Sequence, residues 1–286
     1  MDESLLSIDT FAPFVEGLDH PETVTWGPDG FLYAGGEAGQ IYRIDLEGTY
    51  EQIASTDGFI LGLCLDAARN VYACDQGKHA IMRITPAGAV STYATGSRER
   101  PLRTPNYPVF DRQGNLYVSD SGGWHEHNGC LFRIRPTGQV DVVSEELRQF
   151  PNGLALSPDE SELYVVLSNA SSVVKVALHS DGRVGAPRAV VELPRTVPDG
   201  LAFDAQGNLY IACYTPDVIY RLSPTGRLGI LADDWESVTF ATPTNVAFCG
   251  DGLSTLAVSS LSRWHLTKGP VPIPGHALQY PALPLP

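Results

Sequence analysis

One short phrase recurs six times along this chain, a polar turn followed by an apolar pair that closes on Tyr. It reads Asp29-Gly30-Phe31-Leu32-Tyr33, Arg69-Asn70-Val71-Tyr72, Gly114-Asn115-Leu116-Tyr117, Ser161-Glu162-Leu163-Tyr164 and Gly207-Asn208-Leu209-Tyr210. A weaker sixth copy is Ser254-Thr255-Leu256-Ala257. The copies are spaced by about 40 to 47 residues, the period of propeller blades. Each copy carries a short apolar strand before the turn, such as Val24-Thr25-Trp26, and a second after it, such as Leu116-Tyr117-Val118. A third strand follows, as in Ile41-Tyr42-Arg43-Ile44 or Ile81-Met82-Arg83-Ile84, and then a fourth, as in Ser91-Thr92-Tyr93. Period-2 alternation bounded by Gly, Pro and Asp marks half-buried antiparallel strands. Four strands in six copies predict an all-β fold, a six-bladed β-propeller. Residues 10–15 resemble a fourth strand that lacks the first three, and the last copy is weak in outer strands. The N-terminus is therefore expected to supply the outer strand of blade six and close the ring, leaving no frayed edge. The whole chain, residues 1–286, is expected to form one propeller domain.

Charge and cysteine content narrow the function. Asp plus Glu number 33 against 19 Lys plus Arg, a formal charge of −14. Such a surface is unsuited to nucleic acid, whose phosphates need a basic face, and to anionic membranes. The five cysteines, Cys64, Cys74, Cys130, Cys213 and Cys249, form no CxxC and no even framework, so reduced buried thiols are expected. No apolar run approaches the roughly 18 residues of a membrane span. Met1-Asp2-Glu3-Ser4 lacks a basic leader segment, which points to a cytoplasmic protein. There is no phosphate loop in a strand–helix setting and no Gly-x-Ser-x-Gly elbow, which disfavours nucleotide and serine-hydrolase chemistry.

Counting back eight residues from the turn puts the copies in one register. The residue there is Glu22, Leu61, Asn106, Asn152, Asp199 and Thr244 in blades one to six. Innermost propeller strands surround a channel, so equivalent residues at their starts should converge across it. Each residue alone could simply serve a turn. Four oxygen donors in one register of a six-fold repeat are harder to explain that way. Two carboxylates and two amides make a hard-oxygen set suited to one divalent ion, Ca2+ first and Mg2+ or Mn2+ next. Without His or Cys the column disfavours Zn2+, although Zn2+ and Fe2+ stay open as alternatives.

At these motifs the chain resembles the senescence marker protein (regucalcin)/gluconolactonase/luciferin-regenerating-enzyme family. The matching segments are Pro21-Glu22-Thr23-Val24-Thr25-Trp26, Pro105-Asn106, Pro151-Asn152-Gly153-Leu154-Ala155, Pro198-Asp199-Gly200-Leu201-Ala202 and Pro243-Thr244-Asn245-Val246-Ala247-Phe248. The resemblance implies a six-bladed propeller and metal-dependent lactone hydrolysis on a small-molecule substrate. By matched position it implies Glu22, Asn152 and Asp199 as metal ligands, and Asn106 as a ligand or substrate contact. It also makes Asp199 the general base, or the carboxylate that orients water, with Asn106 beside it in the catalytic set.

The chain departs from the family near the substrate. Thr104 stands two before Asn106, where sugar lactonases often carry Arg, and Arg103 is one residue away. Tyr107 follows Asn106 where Asp is usual. Trp124, in Ser121-Gly122-Gly123-Trp124-His125-Glu126-His127, falls where some sugar lactonases place a carboxylate. Arg103, Tyr107, Trp124, His125 and Tyr214 are thus the candidate substrate contacts, and an apolar or aromatic lactone is expected rather than gluconolactone. For these residues the plainer alternatives are a solvated loop for His125, Glu126 and His127, and packing for Trp124 and Tyr214. His20 reads as a turn residue, Trp264 and His265 as packing residues, and Asp120 as a second-shell or inter-blade acceptor. The Pro-rich tail, 270–286, reads as a surface strap. Two other functions remain alongside hydrolysis: a non-hydrolytic step such as isomerisation, cyclisation or condensation, and calcium or ligand binding without turnover.

Overall fold

The computed structural model describes residues 4–193 and 195–283. Its strands fall into six antiparallel sheets of four. Blades one to five are built from consecutive strands, over 24–55, 60–94, 105–144, 151–192 and 197–233. Blade six takes Pro243–Cys249, Thr255–Ser260 and His265–Pro270 from the end of the chain and its outermost strand, Ala12–Glu16, from the beginning. Ala12 pairs with Lys268 and Glu16 with His265, so the expected ring closure is present. The innermost strands meet one another in sequence around the ring, and blade one meets blade six.

The recurring turn has a local cause. Asp66, Asp111 and Asp204 each accept the backbone N–H and the side-chain amide of the Asn four residues on, Asn70, Asn115 and Asn208. An Asp that holds its own chain this way makes the tight reversal between the first two strands. The apolar faces then stack blade on blade. One cluster fills each of the six seams, for example Tyr72, Phe110 and Phe132 between blades two and three, and Tyr210, Phe248 and Val258 between five and six. All five cysteines are free, as their spacing suggested. Among the described residues no helix is long and apolar enough to cross a membrane.

The tail does more than lie on the surface. Ala205 and His276 exchange backbone bonds with Pro274 and Phe203, and Tyr280 Oη donates to the carbonyl of Trp26 at 2.7 Å. Residues 276–280 thereby cross one end of the tunnel. With inner-strand side chains such as Leu63, Leu154, Leu201 and Val246 they enclose an apolar cavity of about 90 Å3. Residues 284–286 of the expected strap lie outside the described residues.

Candidate active site

At the end of the tunnel away from the strap, five inner strands are irregular at the same place. Between Pro105 and Pro108 the inner strand of blade three advances three residues while its partner, Asp120 to Val118, moves two. The same mismatch follows Pro151, Pro198 and Pro243, and a one-residue slip occurs between Ile60 and Gly62. These are β-bulges, and each contains the column residue: Leu61, Asn106, Asn152, Asp199 or Thr244. A bulge re-aims a side chain out of strict alternation. Pro fits there because it donates no ladder hydrogen bond. Glu22 lies two residues before Val24–Trp26, in irregular chain.

The bulges let adjacent blades approach closely. A Cβ on Gly153 would lie 2.8 Å from Gly200 Cα and closer still to the Asp199 carbonyl oxygen, and one on Gly200 would lie 2.7 Å from Asn245 Cα. Glycine after Leu61, Asn152 and Asp199 is thus a packing requirement at the tunnel wall.

The donors are held in a defined orientation. Asn106 Nδ2 donates to Ser121 Oγ at 3.0 Å, and Asn152 Nδ2 donates to Ser168 Oγ at 3.2 Å. Each amide thus turns its nitrogen to the serine that follows the second strand of its blade, and Oδ1 faces the other way. Asn106, Asn152 and Asp199 are buried, whereas Glu22 keeps some access to water. Burial raises Glu22 to about 7, with the charge of Glu37 adding and that of His20 opposing. Burial also raises Asp199 well above the usual carboxylate range, and the Glu22 charge adds to it. Two carboxyl groups raised in this way, in one register with two amides whose nitrogens are already engaged, fit a hard divalent cation in place of a proton. Thr244 donates its hydroxyl proton to the Glu22 carbonyl at 2.7 Å and meets Ser259 Oγ at 2.9 Å, which ties blade six to blade one. Leu61 offers no donor.

The Glu22 shift has a measurable consequence in metal-free protein. A carboxyl group raised from 4.5 to about 7 binds its proton more tightly folded than unfolded. Its contribution is complete below the unfolded value and lost as pH rises through the folded one. The Tm of chelator-treated protein should fall between about pH 5 and about pH 7, and Glu22→Gln should reduce that fall. A flat profile in the unmodified chain would place Glu22 in bulk-like solvent.

The candidate substrate contacts divide into two groups. Tyr214 stands with the carboxylates: burial raises its hydroxyl far above the usual range, and the charges of Asp199 and Glu22 add to this. Tyr107 crosses the tunnel to the amide of Asn245 in the opposite blade. Burial pushes its hydroxyl up to about 12, against the pull of that amide. Arg103, Trp124 and His125 are at the mouth. Arg103 lines a depression of about 370 Å3 with His79, Leu102, Thr104, Gly122 and Gly123, and its guanidinium pairs with Glu126 at 3.3 Å. Trp124 is 48% exposed and packs edge-on against Phe150, with centroids 4.6 Å apart. His125 is exposed beside it. Asp120 is buried and accepts the backbone N–H groups of Arg103, Thr104 and Gly122, which shapes the mouth within its own blade.

His20 is more than a turn residue. Its Nδ1 lies 3.0 Å from Asp19 and 2.8 Å from Glu37, and its ring packs tilted against Trp264 with centroids 4.4 Å apart. Glu37, Ser121 and Ser168 also contact the site. A signal was present, because four residues after each repeat's closing position stand Glu37, Gln76, Ser121, Ser168, Tyr214 and Leu261. In blades one, three, four and five that second register meets the first.

The comparisons with known proteins agree with this architecture. The family model described as SMP-30/Gluconolactonase/LRE-like region matches residues 20–262. A gluconolactonase of Zymomonas mobilis is 30% identical over 186 residues, 57% of this chain and 51% of that protein. The chain spans about half the length, or less, of the curated relatives it matches. Among solved structures, a gluconolactonase from Xanthomonas campestris superposes with a TM-score of 0.80 at 21% identity, covering 92% of this chain and 89% of that one. A calcium-binding protein, regucalcin, from Agrobacterium tumefaciens gives 0.76 at 16% identity, covering 99% and 100%.

Proposed function

Because the chain belongs to the SMP-30/gluconolactonase/LRE-like family, we propose that it is a metal-dependent lactonase-type hydrolase acting on a small lactone or related ester. One observation supports the reading: the Glu22 and Asp199 carboxyl groups are both raised, and the amide nitrogens of Asn106 and Asn152 are held by Ser121 and Ser168, which frees both oxygens for an ion. Glu22, Asn152 and Asp199 would hold the ion, and Asn106 would complete the set or hold the substrate carbonyl. A divalent cation there supplies Lewis acidity toward a lactone carbonyl and its developing negative charge.

The chain supplies the rest. Asp199 is the general base, taking a proton from the attacking water. The Tyr214 hydroxyl, beside both carboxylates, is placed to donate a hydrogen bond to one of them or to substrate. Tyr107, which lines the apolar cavity and reaches Asn245, would form the floor of the site. Arg103, Trp124 and His125 would meet the substrate as it enters. The test is hydrolysis of aliphatic, aromatic and sugar lactones by purified protein with and without chelator, with Glu22→Ala as the control. Activity that survives both chelation and Glu22→Ala would remove the metal from the reading. Ligand turnover without water uptake would replace hydrolysis by isomerisation or condensation.

The mouth also bears on substrate choice. A site that reads sugar hydroxyls needs a polar partner for each. Here the exposed side chains around the opening include Trp124 and Trp264, and Arg103 is engaged by Glu126. Apolar contact contributes roughly 25 cal/mol per Å2, so a less hydroxylated lactone should be favoured. We expect kcat/KM for an alkyl or aryl lactone to exceed that for gluconolactone. A gluconolactone preference of about tenfold, or ~1.4 kcal/mol, would reverse this assignment.

A further inference from the structure

The hydroxyls of Ser121 and Ser168 are doubly engaged, and that decides what they can do. Ser168 Oγ lies 2.8 Å from the Pro198 carbonyl and 3.2 Å from Asn152 Nδ2. Ser121 Oγ lies 2.7 Å from the Pro151 carbonyl and 3.0 Å from Asn106 Nδ2. A carbonyl oxygen can only accept, so each hydroxyl gives its single proton there. Toward the asparagine it can then only accept. An amide turned the other way would set its oxygen against a lone pair, so the nitrogen must face the serine. Both serines are buried, 0% and 3% exposed, and bulk water cannot substitute for them. Each carbonyl belongs to the residue just before the next column member, Asn152 or Asp199. The chain of contacts therefore runs Asn106, Ser121, Asn152, Ser168, Asp199 across three blades.

We infer that Ser121 and Ser168 are positioning residues that keep the two amide oxygens facing the tunnel and so set its affinity for a divalent cation. This rests on the metal reading above. The opposing tendency is built into the site. Across the channel, Glu22 and Asp199 attract N–H donors, and an untethered amide would turn its nitrogen toward them. A cation must then reverse that turn before it binds. Partners that orient a ligand commonly contribute about 10–100-fold to metal affinity.

The experiment is calorimetric titration of the purified chain with Ca2+, repeated with Mn2+. Ser168→Ala should weaken binding by about 10–100-fold, and Ser168→Thr, which keeps the hydroxyl, should restore it. In an Asn152→Asp background the same Ser168→Ala change should cost little, because a carboxylate has no wrong face. Equal losses in both backgrounds would mean that the serine acts through packing, and would overturn the inference. So would Ser168→Ala binding within twofold of the unmodified chain, a result that leaves the metal reading intact. If the unmodified chain binds neither ion, the metal reading fails and this inference fails with it. Should Ser168→Ala not fold, Ser121→Ala carries the same comparison at Asn106, with Asn106→Asp as its background.

Discussion

Asp199→Asn, assayed with saturating divalent ion, is expected to lower kcat by about 10²–10⁴. Asparagine keeps an oxygen for the ion and nearly the same shape, but it cannot take the proton of the attacking water. Asp199 is 9% exposed, and in the metal-free site burial and then the Glu22 charge raise its proton affinity; a bound cation opposes that rise. The change also removes one of two negative charges, so the ion must be shown to be bound before the rates are compared. A variant that hydrolyses lactone at near the original rate with the ion in place would reduce Asp199 to a ligand.

Gly153→Ala should be costly although it adds one methyl group and lies on no polar contact. Its Cβ would meet the backbone of the neighbouring blade at Asp199 and Gly200, and backbone there cannot yield as a flexible side chain can. Overpacking of this kind costs about 1–3 kcal/mol. The strain falls on the residue proposed as base, so kcat should drop more than the loss of stability alone explains. Denaturant midpoints and metal-saturated kcat, measured on one preparation, separate the two effects. An alanine tolerated without loss in either would mean that the blades can move apart here. The same steric reasoning covers Gly62 and Gly200, which meet the chain at Tyr107 and Asn245.

Much of the architecture is determined locally, and that is why it was legible. The Asp–Asn turn, the closing Tyr and the period-2 strands depend on residues a few positions apart, so six copies announce six blades. Ring closure was legible because the pieces at the two ends complement each other: a lone outer strand at Ala12–Glu16 and a blade lacking one after His265–Pro270. The column of Glu22, Asn106, Asn152 and Asp199 could be aligned for the same reason, since a repeat fold turns equal spacing into spatial equivalence.

What the tertiary structure decided is whatever passes between blades. Strict alternation would set each column residue by its place in the strand; the bulges after Pro105, Pro151, Pro198 and Pro243 set it instead, and no periodicity reveals an extra residue in one strand of a pair. The orientation of each asparagine depends on a serine just after the adjacent strand and a carbonyl in the next blade. The proton affinity of Glu22 depends first on its burial, then on the charges of Glu37 and His20. The tail was legible as a strap from its prolines, but its place across the tunnel end depends on Phe203 and Trp26, more than 70 and 250 residues away in the chain. Sequence spacing carries the positions of the donors; which atom each presents, and at what charge, follows from contacts that exist only once the ring has closed.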